Sequence, residues 1–342
     1  MATLQTRFPT LLDVALRYDP DKKTIYDVAE LLAQTNEMIQ DIPWIEGNEM
    51  TGHTAMVRTS LPASTWRRLY KGVPATKSTA VRVTDAVGLL EQRSEVDKAA
   101  AELNGMSAAF MMDEAAAHIE GMSQDFASTL IYGDTSVNPE RFTGLAARYN
   151  ALSGFEGAQN VINAGGSGSD VTSMWLIAWG RPTVHGIYPK GSQAGLQREW
   201  IGLGDAFDDA TPPARYRAYM ERFEWKCGIH VRDWRYVVRI ANIEVSDLPG
   251  AGLGSATQAA TATTNLLRCM VKALHRLPNG GRLGRPVFYA NAAVREGLDL
   301  LGLEKTSGVL SAVTSGDQFQ TSFRGVPIKT MDALLNTETA LA

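Results

Sequence analysis

Cysteine is scarce: Cys227 and Cys269 are the only two in 342 residues. They are too few for a disulfide framework, and a chain of this length buries enough surface to fold without one. Long apolar runs are missing too. No stretch approaches the roughly 20 apolar residues of a membrane-spanning helix. The first residues, MATLQTRFPTLLDVALRYDPDKK, lack the uninterrupted apolar segment of a secretion signal. These absences predict a soluble chain, made in a reducing cytoplasm and without a membrane partner. Positive charge is not in excess either. With 33 Lys and Arg against 37 Asp and Glu the net charge is −4, which argues against a protein whose main work is gripping nucleic acid. The five histidines, His53, His118, His185, His230 and His275, show no metal-ligand spacing among themselves or with the cysteines.

What is present is segregated charge. Asp13 to Glu49 holds nine acidic residues against three basic ones. Thr51 to Thr84 holds six cations and no acid: Arg58, Arg67, Arg68, Lys71, Lys77 and Arg82. Such blocks form a solvated face or an interaction surface. Gly52, Pro62, Gly72 and Pro74 break the basic block into short segments. Two of them, AMVRTSL and AVRVT, alternate weakly and predict the strands of an extended hairpin. Without a strong apolar face, that hairpin has little reason to fold against its own subunit.

Periodicity places the other elements. Residues 24–41, TIYDVAELLAQTNEMIQD, carry a capping pattern at Thr24 and Asp27. Ile25, Val28, Leu32, Thr35 and Ile39 share a face, which predicts a helix that Pro43 ends. A longer helix is predicted over Ser107–Tyr132, where Met111, Ala115, Ile119, Met122, Phe126 and Leu130 make one apolar stripe. At 1.5 Å per residue it is roughly 39 Å long. Gly133 offers a left-handed cap, and Asn138-Pro139 keeps the helix from resuming. In FEWKCGIHVRDWRYVVRIANI, Phe223, Trp225, Cys227, Ile229 and Val231 alternate with polar neighbours. After Asp233 the apolar phase moves to Trp234, Tyr236, Val238 and Ile240, predicting a bulge or tight turn near Arg232-Asp233. A helix follows from Ser255 to about Arg276 with Ala260, Thr264, Leu267, Val271 and Leu274 on its face. RPVFYANAAVREGLDLLG reads as a strand into a helix, and TSFRGVPIKTMDALL as a closing strand. Helices and strands mix without regular βα alternation, which gives an α+β class.

Catalytic groups do not converge. Gly250-Ala251-Gly252-Leu253-Gly254-Ser255 lies between a strand and a helix, the layout of a dinucleotide-binding turn. Ser255 stands where the third glycine belongs, and no acid follows until Glu296, so the ribose-binding carboxylate is missing. A nucleotide-binding enzyme is the alternative this loop would support. Lys77-Ser78 lacks the glycine that precedes the lysine of a phosphate loop. Asp208-Asp209 reads as solvated loop acids, and Gly165 to Ser169 as a flexible loop without a nucleophile elbow. Aromatics between Trp175 and Tyr236 are dense and interleaved with bases, yet their period-two placement favours a packed core over base stacking. A nucleic-acid-binding alternative rests on the basic hairpin alone. No catalytic residue, cofactor or metal is expected.

Several longer segments carry a resemblance. DVAELLAQTNEMIQDIPWIEGN, TGHTAMVRTSLPASTWRRLYKGV, IYGDTSVNPERFTGLAARYN, WGRPTVHGIYPKGSQAGLQ and FEWKCGIHVRDWRYVVRIANI resemble segments of tailed-bacteriophage major capsid proteins. The likeness runs from about residue 10 to 335. It implies the Hong Kong 97-type capsid fold, with residues 1–50 as N-terminal arm and 51–90 as the E-loop hairpin. Residues 91–150 and 315–342 would form the peripheral domain with spine helix 107–132, and 151–314 the axial domain. It further implies a non-enzymatic chain that self-assembles into pentamers and hexamers of an icosahedral head around double-stranded DNA, in the host cytoplasm. No long charged N-terminal helix is present to act as a built-in scaffold, so a separate scaffolding protein is implied. A portal is implied as well, a decoration protein is left open, and contact with packaged DNA is weak and non-specific. The inter-subunit contact candidates are Arg58, Arg67, Arg68, Lys71 and Lys77 on the hairpin, facing the acidic arm and Asp113, Glu114 and Glu120 on the spine helix.

Overall fold

A computed structural model describes residues 18–19, 24–25, 33–102, 107–208, 213–248, 256–304, 310–315 and 318–341. In chain order the strands are β1 (Tyr18–Asp19), β2 (Thr24–Ile25), β3 (Trp44–Glu46), β4 (Gly52–Ser60), β5 (Thr79–Ala86), β6 (Gly88–Asp97), β7 (Val161–Asn163) and β8 (Val171–Trp179). There follow β9 (Val184–Tyr188), β10 (Gln197–Phe207), β11 (Arg215–Val231), β12 (Val237–Glu244), β13 (Arg285–Ala290), β14 (Leu310–Ser315), β15 (Gln318–Phe323) and β16 (Val326–Thr330). The helices are α1 (Met38–Asp41), α2 (Lys98–Ala101), α3 (Ser107–Tyr132), α4 (Leu145–Arg148), α5 (Ala256–Arg276) and α6 (Ala292–Glu304). No helix among the described residues is long and apolar enough to cross a membrane.

The chain divides into two compact units. One takes in Met1–Gln34, Leu89–Phe126 and Gly195–Trp225, the other Thr35–Gly88, Ala127–Ala194 and Lys226–Ala342. In the second unit a sheet runs in the order β9-β8-β13-β16-β15-β14, with β12 pairing β8 and β7, and β3 pairing β9. β8, VTSMWLIAW, is buried at all 9 of its positions, and its apolar run from Met174 to Trp179 is that of a strand covered on both faces. Helices α5 and α6 cover one face, packing Leu266, Met270, Ala273, Val294 and Leu298 with Met174, Leu176, Val238, Ile240 and Phe288. Burying a side chain of this kind contributes roughly 1.5–3 kcal/mol each.

The C-terminal segment is held in the same unit by a buried ion pair. Arg239 Nη2 donates to Glu338 Oε2 at 2.8 Å, with the two side chains 5% and 6% exposed. Arg239 also donates to Tyr149 O and Ser173 Oγ, and its guanidinium lies 5.2 Å from the Trp175 ring centre. Glu338 additionally accepts from the hydroxyls of Tyr132 and Ser173. Burial and the neighbouring Glu338 charge raise the Tyr132 hydroxyl above its ordinary range, so it stays a donor.

In the first unit β10 and β11 pair antiparallel, with a register shift between Trp200 and Gly202 where Gly202 takes φ +102°. The early part of α3 buries Phe110 and Met111 with Val96 and Ala101. Phe126 packs on Trp225 with ring centres 4.3 Å apart. The expected stripe holds at Met111, Ala115, Met122, Phe126 and Leu130, each at most 6% exposed. Ile119 departs from it, at 40% exposed. Steps of four from Met111 and Ala115 carry position 119 about 80° round the helix, to the stripe's edge. His118 takes the inward place, stacked on Phe223 and hydrogen-bonded to Gln92 at 3.2 Å. Met122 is 1% exposed; Met122→Asp puts an unpaired carboxylate into that contact and costs about 4 kcal/mol. The denaturant midpoint of the soluble fraction measures the loss, and a midpoint equal to wild type would show the stripe to be misread.

Four further expectations are corrected. The helix over 24–41 is not formed as such: β2 pairs with β1, residues 26–32 are outside the described set, and helix is confined to Met38–Asp41. Residues 35–37 give their hydrogen bonds to the C-terminal segment instead, Thr35 N to Asp332 and Glu37 N to Thr330 O, so tertiary pairing overrides propensity. Helix α5 meets the core through Leu266, Cys269, Met270 and Ala273, while Leu267, Val271 and Leu274 are only partly buried. Gly133 ends α3 by close approach, not by a left-handed cap: a Cβ there would lie 2.4 Å from Phe142 O and 2.5 Å from Thr129 O. The single closing strand is a hairpin, β15-β16, turned at Arg324-Gly325 with φ of 51° and 81°, the positive pair of a two-residue turn. The phase change near Arg232-Asp233 is a true turn. β11 ends at Val231, a short 3-10 turn spans Trp234–Tyr236, and β12 is then buried on both faces, Val237 and Arg239 included.

Candidate functional site

The basic segment forms the hairpin its pattern predicts. β4 and β5 pair antiparallel from Gly52 opposite Ala86 to Ser60 opposite Thr79. Their β-branched residues suit a pleated pair, and hydroxyls bridge the strands, Thr54 to Thr84 at 2.9 Å and Ser60 to Thr79 at 2.7 Å. Residues 61–78 form the tip, and every one is exposed. Trp66 at 101%, Tyr70 at 102% and Leu69 at 86% lie fully in solvent. Tyr70 has φ 65°, a left-handed backbone that costs an aromatic residue about 1–2 kcal/mol. Arg58, Arg67, Arg68, Lys71 and Lys77 are exposed too and make no ion pair with another described residue. Of the six cations only Arg82 is paired with a described residue, Glu49 at 3.0 Å. Lys77 and Ser78 precede a strand, not a helix, so they form no phosphate loop.

Among the described residues, the acids expected to answer these cations are largely engaged in their own chain. Asp113 and Glu114 are half-buried on α3, and Glu114 is not without a partner. Glu120 accepts from Gln124 Nε2 at 2.8 Å and Gln34 N at 2.9 Å. Those bonds, in that order, hold its carboxyl below the usual range. In the acidic arm, Asp41 is buried against Arg285, Lys329 and Tyr289. Glu37 pairs with Arg295, and Glu46 accepts from Gly191 N.

At its root the hairpin is fixed by Asp85, 6% exposed near the end of β5. Its Oδ1 accepts from Arg148 Nη2 at 2.8 Å, and its Oδ2 from His230 Nδ1 at 2.7 Å and Val231 N at 3.3 Å. Burial pulls this carboxyl upward, but the hydrogen bond from His230 and the Arg148 charge outweigh it and keep it below the ordinary value. Neither Asp85 nor the tip residues Trp66, Leu69 and Tyr70 were among the expected contacts. For the tip a signal was there: STWRRLYKGV sets two aromatics and a leucine among cations in a segment without acids.

Nucleophilic chemistry finds no support among the described residues. Cys227 and Cys269 are buried, and burial raises both thiols, which keeps them protonated and inert. The Gly250-to-Ser255 loop and Asp209 lie outside the described residues, and Asp208 accepts from Ala214 N. In the aromatic-rich region Trp175, Trp179 and Trp225 are core residues as expected, whereas Trp200 is 55% exposed.

Comparison with known proteins bears on the whole chain. A family model described as major capsid protein GP7 matches residues 19–342. A chain in the near-atomic structure of bacteriophage Epsilon15 is 32% identical, aligns over 100% of this chain and 99% of its own, and has a TM-score of 0.71. The capsid of bacteriophage JBD30 aligns over 96% of both chains at 11% identity and a TM-score of 0.41. The SrpI encapsulin of Synechococcus elongatus aligns over 68% of this chain and 96% of its own at 12% identity and a TM-score of 0.43. No curated protein sequence matches.

Proposed function

The chain belongs to the major capsid protein GP7 family and forms the shell of a phage capsid with an α+β, Hong Kong 97-type fold, and from that premise we propose that its β4-β5 hairpin is the arm by which one subunit holds the next. It is a structural component of the virion, not an enzyme. The observation that carries the proposal is the tip: Trp66, Leu69 and Tyr70 are solvent-exposed beside unpaired cations. A free subunit has no use for two bare aromatics on a basic loop, and exposed apolar groups of this kind mark interaction sites.

In this reading the aromatics supply affinity and the cations supply orientation. A buried aromatic anchor is worth about 2 kcal/mol or more at an interface, against about 0.2–1 kcal/mol for an exposed ion pair. With Glu114 and Glu120 engaged at home, Asp113 is the freest of the three acids expected on α3. The same proposal includes residues 1–50 as an N-terminal arm, 91–150 and 315–342 as a peripheral domain with α3 as spine, and 151–314 as an axial domain. Gly195–Trp225 is the part of that axial range that groups with Leu89–Phe126. Pentamers and hexamers of this chain, a separate scaffolding protein, a portal and weak contact with packaged DNA belong to it as well.

The experiment is a trimmed hairpin. Ser60 and Thr79 are already opposite each other, so residues 61–78 can be replaced by Asn-Gly, which closes a two-residue turn. The expected product is a folded, soluble subunit that sediments without shells and shows none by electron microscopy. Shells at wild-type yield would overturn the assignment of the hairpin.

A further inference from the structure

Beneath the hairpin, three histidines from three strands face one another. His53 lies on β4, His185 on β9 and His230 on β11, and one ring nitrogen of each lies within 4.8 Å of the other two. The rings meet edge to face, with centres 4.6 to 5.7 Å apart. The placement follows from register: His230 stands opposite His185 between β11 and β9, and His53 opposite Asp85 in the hairpin. The sheet thus assembles what sequence spacing did not announce.

The cluster is buried and unsatisfied. His185 is 2% exposed and neither of its ring nitrogens makes a well-formed hydrogen bond, although the Gly180 backbone interacts with the ring; His230 is 0% exposed and its Nε2 has no partner; the buried Nδ1 of His53 has none. Polar atoms this deep are nearly always bonded, so four such nitrogens in one place point to something they bind. His230 is also oriented. Its Nδ1 donates to the Asp85 carboxylate at 2.7 Å, which leaves the Nε2 lone pair directed away from Asp85 and free. A carboxylate on the far nitrogen is the usual support of a metal-bound imidazole, since it fixes the tautomer and raises basicity.

We propose that His53, His185 and His230 bind one divalent transition-metal ion, best zinc, with Asp85 as the positioning carboxylate and the fourth coordination place left to water. All-nitrogen imidazole sets suit zinc. With Zn–N near 2.0–2.1 Å a tetrahedral site needs nitrogens roughly 3.4 Å apart. The three histidines must therefore close by at most about 1.4 Å from 4.8 Å, and half-buried His53, on a two-stranded ribbon, is placed to do so. The positive charge of Arg232 near His53 and His185 works against the ion and limits affinity. The bound ion would tie the root of the hairpin to β9 and β11.

The test uses the full-length chain, stripped with EDTA, dialysed, and titrated with Zn²⁺ and separately with Co²⁺. About one ion per subunit is expected, with an upward shift in thermal midpoint and visible ligand-field bands for Co²⁺. Two variants separate this cluster from surface sites. His185→Phe removes both ring nitrogens at similar volume, and His53→Gln leaves Asp85 and His230 in place. Each should fold in EDTA yet lose the stoichiometric ion, the cobalt bands and the metal-dependent shift. The proposal is overturned if wild type takes up no stoichiometric ion and shows no shift, or if both variants bind as wild type does. None of these readouts depends on shell assembly, so failure here would leave the role of the hairpin tip untouched.

Discussion

Replacing Trp66 and Tyr70 together by alanine leaves a folded subunit that no longer forms shells, whereas replacing Arg67 and Arg68 by glutamate gives a milder, salt-dependent defect. The ranking follows from magnitudes. Both aromatics are fully exposed in the single chain, so truncating them costs the monomer little, and surface changes of that kind stay within about 0.5 kcal/mol. At an interface each anchor is worth about 2 kcal/mol or more. Exposed ion pairs contribute about 0.2–1 kcal/mol each and are screened within about 3 Å at 1 M salt. Losses of either size are multiplied because every contact in a closed shell is repeated and becomes effectively intramolecular. Circular dichroism checks the fold, and sedimentation with microscopy counts shells at low and high salt. If charge reversal abolishes assembly while the alanine pair assembles normally, electrostatics hold the tip. If neither variant loses shells, the tip is a solvated loop and subunit contacts lie elsewhere.

Legibility of the fold varied with the kind of information each element needs. Helix α3 and the hairpin strands could be read because their periods are local, and the turn after Val231 because a phase flip is local too. The 24–41 segment misled because its helical pattern is a weak propensity, whereas Asn36 bridges Met331 across most of the chain. The inward face of α5 was displaced because its apolar positions cover a wide arc, and only the neighbouring sheet decides that Cys269 and Ala273 turn inward. At the site, the cations were visible as a block, yet their acidic partners could not be judged. Whether Glu120 is free depends on Gln34 and Gln124 lying beside it. The histidine cluster was invisible for the strongest reason: strand register brings its members together, and no spacing rule encodes that.

Glu338→Ala is expected to destabilise the unassembled subunit by about 3–5 kcal/mol, the usual cost of removing one partner from a buried ion pair. Arg239 would keep its charge at 4% exposure with only Tyr149 O and Ser173 Oγ as acceptors, and the Tyr132 hydroxyl would lose the acceptor it now reaches at 2.5 Å. Two companion variants test the cause. Glu338→Gln keeps an acceptor oxygen and should lose less. Arg239→Met with Glu338→Leu removes both charges at similar volume, and such replacements are often neutral, so this double variant should be more stable than Glu338→Ala alone. Urea midpoints on dissociated subunits supply the double-mutant comparison. The C-terminal segment packs independently of the pair if Glu338→Ala shifts the midpoint no more than a surface substitution does. If the double variant is instead the least stable of the three, the loss comes from the packing of the Arg239 stem on Trp175, and the stranded charge is not its cause.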